Sequence, residues 1–172
     1  MRAHKILLMG VAGFVLSACS IQYPQNATEY RKMVPDSMMG TREEIISPRS
    51  LAEITATFKK MAPQCLNVKI RSEERSGSSY HVVVTNYKPT VIASAQKVEL
   101  HVQMTHEKGV ITPGKVPPGG LYLMVIDVTP IASGKSKAVF YRPSMGYGTM
   151  VKAITGWVTG ENIGCPDLTR QG

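Results

Sequence analysis

Five short segments with the residue alternation of β-strands follow one another between residues 66 and 142, and no helical segment lies among them. One helical segment precedes them and another follows them. Consecutive strands of this kind pair as an antiparallel sheet, and helices at the two ends of the chain then pack on it. We therefore predict an α+β domain in the order helix, five strands, helix, with an antiparallel sheet of about five strands and both helices on one face. The predicted strands are 66–71, 80–87, 98–105, 121–129 and 137–142.

The two helical segments are recognised by their apolar stripes. At the start of the first, Ser50 and Glu53 have the spacing of a capping box, in which each residue satisfies the backbone of the other. Apolar residues then recur every three or four positions, and Pro63 is expected to end the helix. The second helix is expected to end at Gly160. The apolar positions are Leu51, Ile54, Phe58 and Met61 in the first helix, and Met150, Val151, Ile154, Trp157 and Val158 in the second.

Two of the predicted strands differ in their expected contact with water. From Val98 to Thr105 apolar and polar residues alternate, which predicts one face in the core and one in solvent. Residues 121–129 are apolar on both faces, which is typical of a central strand. Asp127 is the acid within that run. A buried acid has a shifted pKa and sometimes a catalytic role, and the alternative is a carboxylate that caps a neighbouring turn.

The front of the chain has the three parts of a secretory signal peptide. Basic residues occur within positions 2–5, and an apolar stretch of about eleven residues follows at 6–16. That stretch is too short to cross a bilayer, which needs roughly 20 residues. It leads into Leu16-Ser17-Ala18-Cys19, a branched apolar residue, two small residues and a cysteine. This motif resembles the lipobox of bacterial lipoproteins.

The lipobox resemblance implies cleavage before Cys19, a diacylglycerol on its thiol and a third acyl chain on its new amino group. Stable anchoring takes two membrane signals, so three chains are expected to hold the protein firmly on a membrane. Ser20 follows the cysteine, where an aspartate would imply retention in the inner membrane. We therefore expect the periplasmic side of the outer membrane, with the inner membrane as the alternative.

The segment after Cys19 shows little periodicity. Pro24, Pro35 and Pro48 interrupt it, and its apolar residues come in small clumps. We interpret 19–47 as a lipidated tether, after a signal peptide at 1–18 and before a periplasmic domain at 48–172.

Two cysteines remain once Cys19 is assigned to the lipid. Cys65 and Cys165 would lie in an oxidising compartment and follow the ends of the two predicted helices. We predict a disulfide between them, with two free thiols as the alternative.

The charge balance excludes one class of partner. The first eighteen residues contain two of the 20 lysines and arginines and none of the 12 acids, so the remainder carries +6. These basic residues are scattered, whereas a nucleic-acid-binding face has a dense stripe. We expect no nucleic acid.

The sequence contains no motif for a metal or a cofactor. His81, His101 and His106 are not spaced as metal ligands, and we expect no cofactor beyond the acyl groups on Cys19. We also find no nucleophile motif, so we do not expect an enzyme.

The leading hypothesis is a non-enzymatic lipoprotein whose domain binds another envelope component, most simply a protein. The expected contact surfaces are strand edges and a Pro/Gly-rich loop, and the residues of that loop are Gly109, Pro113, Pro117, Pro118, Gly119 and Gly120. A second hypothesis is a carrier or sensor of a lipid or peptidoglycan fragment, held in a cavity lined by Phe58, Met124, Ile126 and Trp157. A third is a cell-wall hydrolase that uses Asp127 with a histidine.

Overall fold

A computed structural model describes residues 22–76, 79–107, 114–161 and 164–169 of the chain. Cys19 and the motif that resembles a lipobox lie outside these residues. The described part forms three α-helices and six β-strands. In chain order these are α1 (Ala27–Asp36), β1 (Gly40–Ser47), α2 (Leu51–Cys65), β2 (Lys69–Ser76), β3 (Ser79–Ala93), β4 (Val98–His106), β5 (Leu121–Pro130), β6 (Ser136–Pro143) and α3 (Gly148–Thr159).

All six strands belong to one antiparallel sheet, in the order β1-β6-β5-β4-β3-β2. The predicted α+β class and the antiparallel pairing are therefore confirmed. The predicted count of five strands and two helices is wrong, because β1 and α1 were not foreseen. β1 lies at one edge of the sheet and β2 at the other, and β5 lies inside it as predicted.

One face of the sheet, here the core face, is covered by α2 and α3. Side chains from both helices pack with alternate residues of the strands in one apolar cluster. Phe58 of α2, Ile126 of β5 and Ile154 of α3 are fully buried in it. The prediction that these two helices share a face is thus confirmed. α2 does not end at Pro63 as expected but continues to Cys65. The proline lacks only its own N–H, and the helix is closed after it by the Leu66 backbone N–H, which donates to the Ala62 carbonyl oxygen (2.9 Å).

The opposite face, here the α1 face, is covered in part by α1. Ala27 and Tyr30 of α1 pack with Val125 of β5 in a second, smaller apolar cluster. β4 was expected to be wet on this side, and that expectation is wrong: His101 and Gln103 are both buried. The reason is that α1 and the connection between β4 and β5 pack over this side of the strand.

The tether predicted at 19–47 is wrong for its larger part. Residues 27–36 form α1, and residues 40–47 pair along the whole length of β6. Asn26 caps α1 by accepting a hydrogen bond from the Glu29 backbone N–H (2.9 Å). The folded domain therefore begins at least twenty residues earlier than the predicted position 48.

The sheet has two ends that differ in their surroundings. At the first, here the Gly40 end, β1 and β5 begin and β4 and β6 end, since Gly40 pairs with Pro143 and Leu121 with Met104. At the second, here the Ser47 end, β1 and β5 end and β4 and β6 begin.

Among the described helices, none is long and apolar enough to cross a membrane.

Candidate functional site

The predicted disulfide is present on the core face. Cys65, the last residue of α2, is bonded to Cys165, with their Cα atoms 4.9 Å apart. Cys165 follows α3, so the bond joins the chain segments that leave the two helices. Cys65 is itself part of the apolar core cluster. Its buried position at the ends of two packed helices indicates that the disulfide has a structural role.

Part of the Pro/Gly loop is packed against β4. The Gln103 side-chain amide donates to the carbonyl oxygens of Pro118 (2.9 Å) and Gly120 (2.8 Å). Gly120 has φ +109°, and a Cβ on it would lie 2.4 Å from the Met104 carbonyl oxygen, so only glycine fits there. Pro117 is buried, whereas Pro118 and Gly119 are exposed. Gly109 and Pro113, also predicted for this surface, lie outside the described residues.

An ionic cluster lies on the α1 face where α1 crosses β5. The Arg31 guanidinium donates to both carboxylate oxygens of Asp127 (2.8 and 2.7 Å) and also contacts Glu99. Lys97 approaches Glu99 (3.0 Å) and Asp127 (3.2 Å), and His101 Nε2 lies 2.8 Å from Glu99. We call these five residues the Arg31 cluster. Tyr30 adds a hydrogen bond from its hydroxyl to the Leu123 carbonyl oxygen.

The cluster favours the ionised form of Glu99. Burial acts to raise the pKa of Glu99, but hydrogen bonds from His101, Lys97 and Arg31 outweigh it and lower that pKa to about 2. Burial raises the pKa of the Tyr30 hydroxyl, which stays protonated as a donor. The arrangement joins a helix and two strands by charge-assisted hydrogen bonds.

The Arg31 cluster contains the acid and histidine that the hydrolase hypothesis requires. Asp127 pairs with Glu99 across two strands, and Glu99 contacts His101. However, Arg31 and Lys97 occupy the carboxylate oxygens, and the Asp127 side chain is only 12% exposed. Asp127 thus acts here as the sheet's attachment point for Arg31, and it does not cap a turn.

The histidines are separated from one another. His101 is buried on the α1 face, while His106 lies on the core face with its Nδ1 3.1 Å from the Thr85 hydroxyl. The side chain of His81 lies outside what the structure describes. Within the described ranges, no three histidine, cysteine, aspartate or glutamate residues are grouped as metal ligands.

The four residues named for a ligand cavity are packed together in the core. Phe58, Met124 and Ile126 are fully buried, Trp157 is 2% exposed, and all four belong to the apolar cluster between sheet and helices. A filled core of this kind counts against a large ligand at that position.

A groove opens at the Ser47 end of the sheet. Its volume is about 630 Å³. It lies between the outer side of α2 and the turn from β3 to β4, and much of its lining is small and apolar. We call it the Ala56 groove; its lining residues are Ser50, Leu51, Ala52, Thr55, Ala56, Lys59, Ser94, Ala95 and Pro130.

A smaller cleft of about 290 Å³ lies on the core face toward the Gly40 end. Tyr147 borders it in a left-handed backbone conformation (φ +58°), which is uncommon for a residue with a side chain. The Tyr147 hydroxyl lies 3.7 Å from the Met104 sulfur. We call this smaller cleft the Tyr147 cleft. Its lining residues are Ile70, Ser72, Val83, Thr85, Tyr87, Met104, His106, Tyr147, Leu168 and Thr169.

Both edges of the sheet carry charged side chains. On β1, Arg42 pairs with Glu44, and Glu43 accepts from Arg142 of β6 (2.9 Å). On β2, Lys69 pairs with Glu107. Charges of this kind discourage strand addition, so the groove and the cleft are the more open candidate surfaces.

The sequence did not reveal the Ala56 groove, because its lining comes from three separate parts of the chain. The Arg31 cluster was missed for the same reason, although Asn26-Ala27-Thr28-Glu29 has the spacing of a helix start and could have indicated α1.

Comparisons of this chain with models of known protein families, with curated proteins and with solved structures gave no significant match.

Proposed function

We propose that this chain is an acylated envelope lipoprotein, on the periplasmic side of the outer membrane, whose domain holds a protein partner without catalysing a reaction. The lipobox resemblance at Leu16-Ser17-Ala18-Cys19 supports the anchor. The Ala56 groove supports the binding role, and it is the observation on which this proposal chiefly rests.

The lining of the groove fits a protein segment. Ala52 and Ala56 lie one helical turn apart on the exposed side of α2, and Ala95 faces them from the β3–β4 turn. Small side chains let the backbone of a partner approach closely, and shallow apolar grooves accept apolar segments. Lys59 at the border adds a positive charge. The expected occupant is therefore an apolar segment with an acidic residue beside it.

An Ala56→Arg substitution tests the groove. The arginine would fill it and place a second cation beside Lys59, so partner binding should be lost. The measurement is native mass spectrometry of the acylated protein, extracted from its own membranes in mild detergent. Gln64→Arg is the matched control, because it adds the same charge to an exposed site on the same helix outside the groove.

A stoichiometric partner that is present in the wild type and the Gln64→Arg variant, but absent from Ala56→Arg, would support the proposal. A partner retained equally by all three proteins would contradict it. Intact mass tests the anchor in the same sample, since acylation at Cys19 adds the mass of the acyl groups and Cys19→Ser abolishes it.

The Tyr147 cleft favours a second function, which is binding of a small polar ligand such as a peptidoglycan fragment. Hydroxyl and imidazole groups of Ser72, Thr85 and His106 line it beside an aromatic ring. In the same spectra, a small retained mass that is lost from a Thr85→Val variant would favour this function over protein binding.

A further inference from the structure

We infer that the side of the Gly40 end formed by α1, β1 and the start of β5 lies on the bilayer, with the Ala56 groove held away from it. The inference rests on the proposed acylation of Cys19 and adds an orientation to it. The occupant of the Gly40 end is the phospholipid surface into which the protein's own acyl chains insert.

The distance between anchor and domain sets the first constraint. Two residues, Ser20 and Ile21, lie between Cys19 and Gln22, where the described chain begins. Whatever their conformation, the three Cα–Cα steps from Cys19 to Gln22 span at most about 11 Å. A tether reaching to position 48 would have allowed about 100 Å. Because 27–47 are folded, the domain has no such freedom.

The chain next to the anchor is fixed to the Gly40 end. The Gln25 side-chain amide donates to the carbonyl oxygens of Tyr23 and Lys115, both at 2.9 Å. Lys115 belongs to the connection that leads into β5, which begins at this end. Gln22 and Tyr23 line one cleft with Gly114 and Lys115. Residues 22–25, which follow the proposed anchor, are therefore fixed to the Gly40 end.

The exposed apolar side chains of this end form the second, independent constraint. Met38 is fully exposed, and Met39 and Met145 are 60% and 66% exposed. They are neighbours, since the Ser144 backbone N–H donates to the Met39 carbonyl oxygen (2.8 Å). Met33 and Val116 add exposed apolar groups beside the anchored segment. Grouped exposed apolar residues mark contact surfaces, including membrane contacts.

The types of side chain also fit a lipid interface. Methionine is flexible and adapts to an irregular surface. Tyr23 offers an aromatic body with a polar tip, a combination enriched at membrane interfaces, and Lys115 adds a cation. A phospholipid surface would cover all of these groups at once.

This orientation places the partner groove in the periplasm. β1 runs from the Gly40 end to the Ser47 end and has eight residues. At about 3.3 Å per residue, the Ser47 end stands roughly 25 Å above the bilayer. The Ala56 groove is then open to a partner that approaches from the periplasm.

Two tryptophan variants of the full acylated protein test the orientation. Met38→Trp places the reporter at the Gly40 end, and Ile131→Trp places it at a partly exposed apolar position of the Ser47 end. Each protein is reconstituted into vesicles of phosphatidylethanolamine and phosphatidylglycerol, with or without bromine on the acyl chains near the glycerol. Trp157 is buried in the core and gives the same background in both variants.

We expect the emission added by Met38→Trp to shift to the blue in vesicles and to be lost with brominated lipid, while that of Ile131→Trp is unchanged. Equal quenching of both reporters, or of neither, would overturn the orientation. Intact mass of the same samples separates the two proposals: a protein without acyl mass refutes both the anchor and this inference, whereas an acylated protein with an unquenched Met38→Trp refutes the orientation alone.

Discussion

The two faces of the sheet are covered by different means. On the core face, α2 and α3 bury large apolar side chains such as Phe58, Ile126 and Ile154. Each fully buried side chain of this kind contributes about 1.5–3 kcal/mol relative to exposure. A disulfide then joins the segments that leave the two helices. Hydrophobic burial therefore dominates this face.

On the α1 face the apolar contact is small and the polar contact is specific. Only Ala27, Tyr30 and Val125 are buried in its cluster, among the described residues. Arg31 adds its bonds to Asp127 and Glu99, and a hydrogen bond to charge contributes about 1.5–3 kcal/mol. A helix held in this way can loosen while the core face stays folded, because the two clusters share no residue.

The two faces of the sheet are expected to serve different parts of the proposed function. Among the described elements, α1 is the first to follow the proposed anchor at Cys19, so the contacts on the α1 face would fix the domain to that anchor. The core face instead shapes the Ala56 groove through α2. Changes on the core face should unfold the domain, whereas changes on the α1 face should release α1 first.

The largest effect is expected from loss of the disulfide on the core face. The cysteines are 100 residues apart, and the chain-entropy model gives about 4.7 kcal/mol for a loop of that length. Replacing Cys65 and Cys165 by alanine should lower the free energy of unfolding by up to that amount, measured by urea denaturation. Reduced wild-type protein is the control and should match the double variant.

Phe58→Ala should come next. It removes a fully buried ring from the core cluster, and such changes cost about 3–5 kcal/mol. The urea midpoint should fall in one cooperative transition. Lys60→Ala, at an exposed site on the same helix, should change the free energy of unfolding by less than about 0.5 kcal/mol.

Asp127→Asn should separate the two faces. It removes the charge that Arg31 contacts with two hydrogen bonds, so α1 should lose about 2 kcal/mol of local stability. Cleavage by trypsin after Lys32 should become about 30-fold faster, while α2 stays resistant. Glu73→Gln on β2 removes the same charge from an exposed site and should leave cleavage unchanged. Simultaneous cleavage of α1 and α2 would remove the distinction between the faces.

Asn26→Ala should have the smallest effect. It removes the cap that accepts from the Glu29 backbone N–H, at a cost of about 1 kcal/mol. Amide exchange in the first turn of α1 should accelerate about fivefold, with no change in α3. Thr28→Ala, exposed in the same turn, should not accelerate it.

The same difference between the faces explains what the sequence could predict. The elements that form the core face can be predicted from the spacing of their apolar residues. The stripe of Leu51, Ile54 and Phe58 predicts α2, and the alternation that begins at Val98 predicts β4. β3 was predicted to stop at Tyr87, two residues before Pro89. It continues to Ala93, since β2 pairs only as far as Asn86 and the proline therefore lies where β3 has no neighbour on that side.

The α1 face depends on contacts that no local pattern contains. Arg31 and Asp127 are 96 residues apart in sequence. α1 includes Pro35 and has only a small apolar surface, and β1 places Ile45 and Ile46 side by side instead of alternating. Their fold is set by pairing with β6 and by the Arg31 cluster. Because the residues of α1 and β1 show little periodicity, the sequence predicted a tether where these two elements form.

Hydrogen exchange of the full-length protein, followed from neutral to acidic pH, tests most directly whether the α1 face opens separately from the core face. The pKa of Glu99 is lowered from 4.5 to about 2 in the folded protein, so its contribution to stability is present above about pH 4.5 and is lost as the pH falls toward 2. We predict that the backbone amides of α1 are protected from exchange at neutral pH, relative to intrinsic rates. In the acidic range they should lose this protection before the amides of α2. Glu99→Gln should remove most of this pH dependence. Free exchange of 27–36 at neutral pH, or loss of protection in α1 and α2 together at every pH, would contradict it.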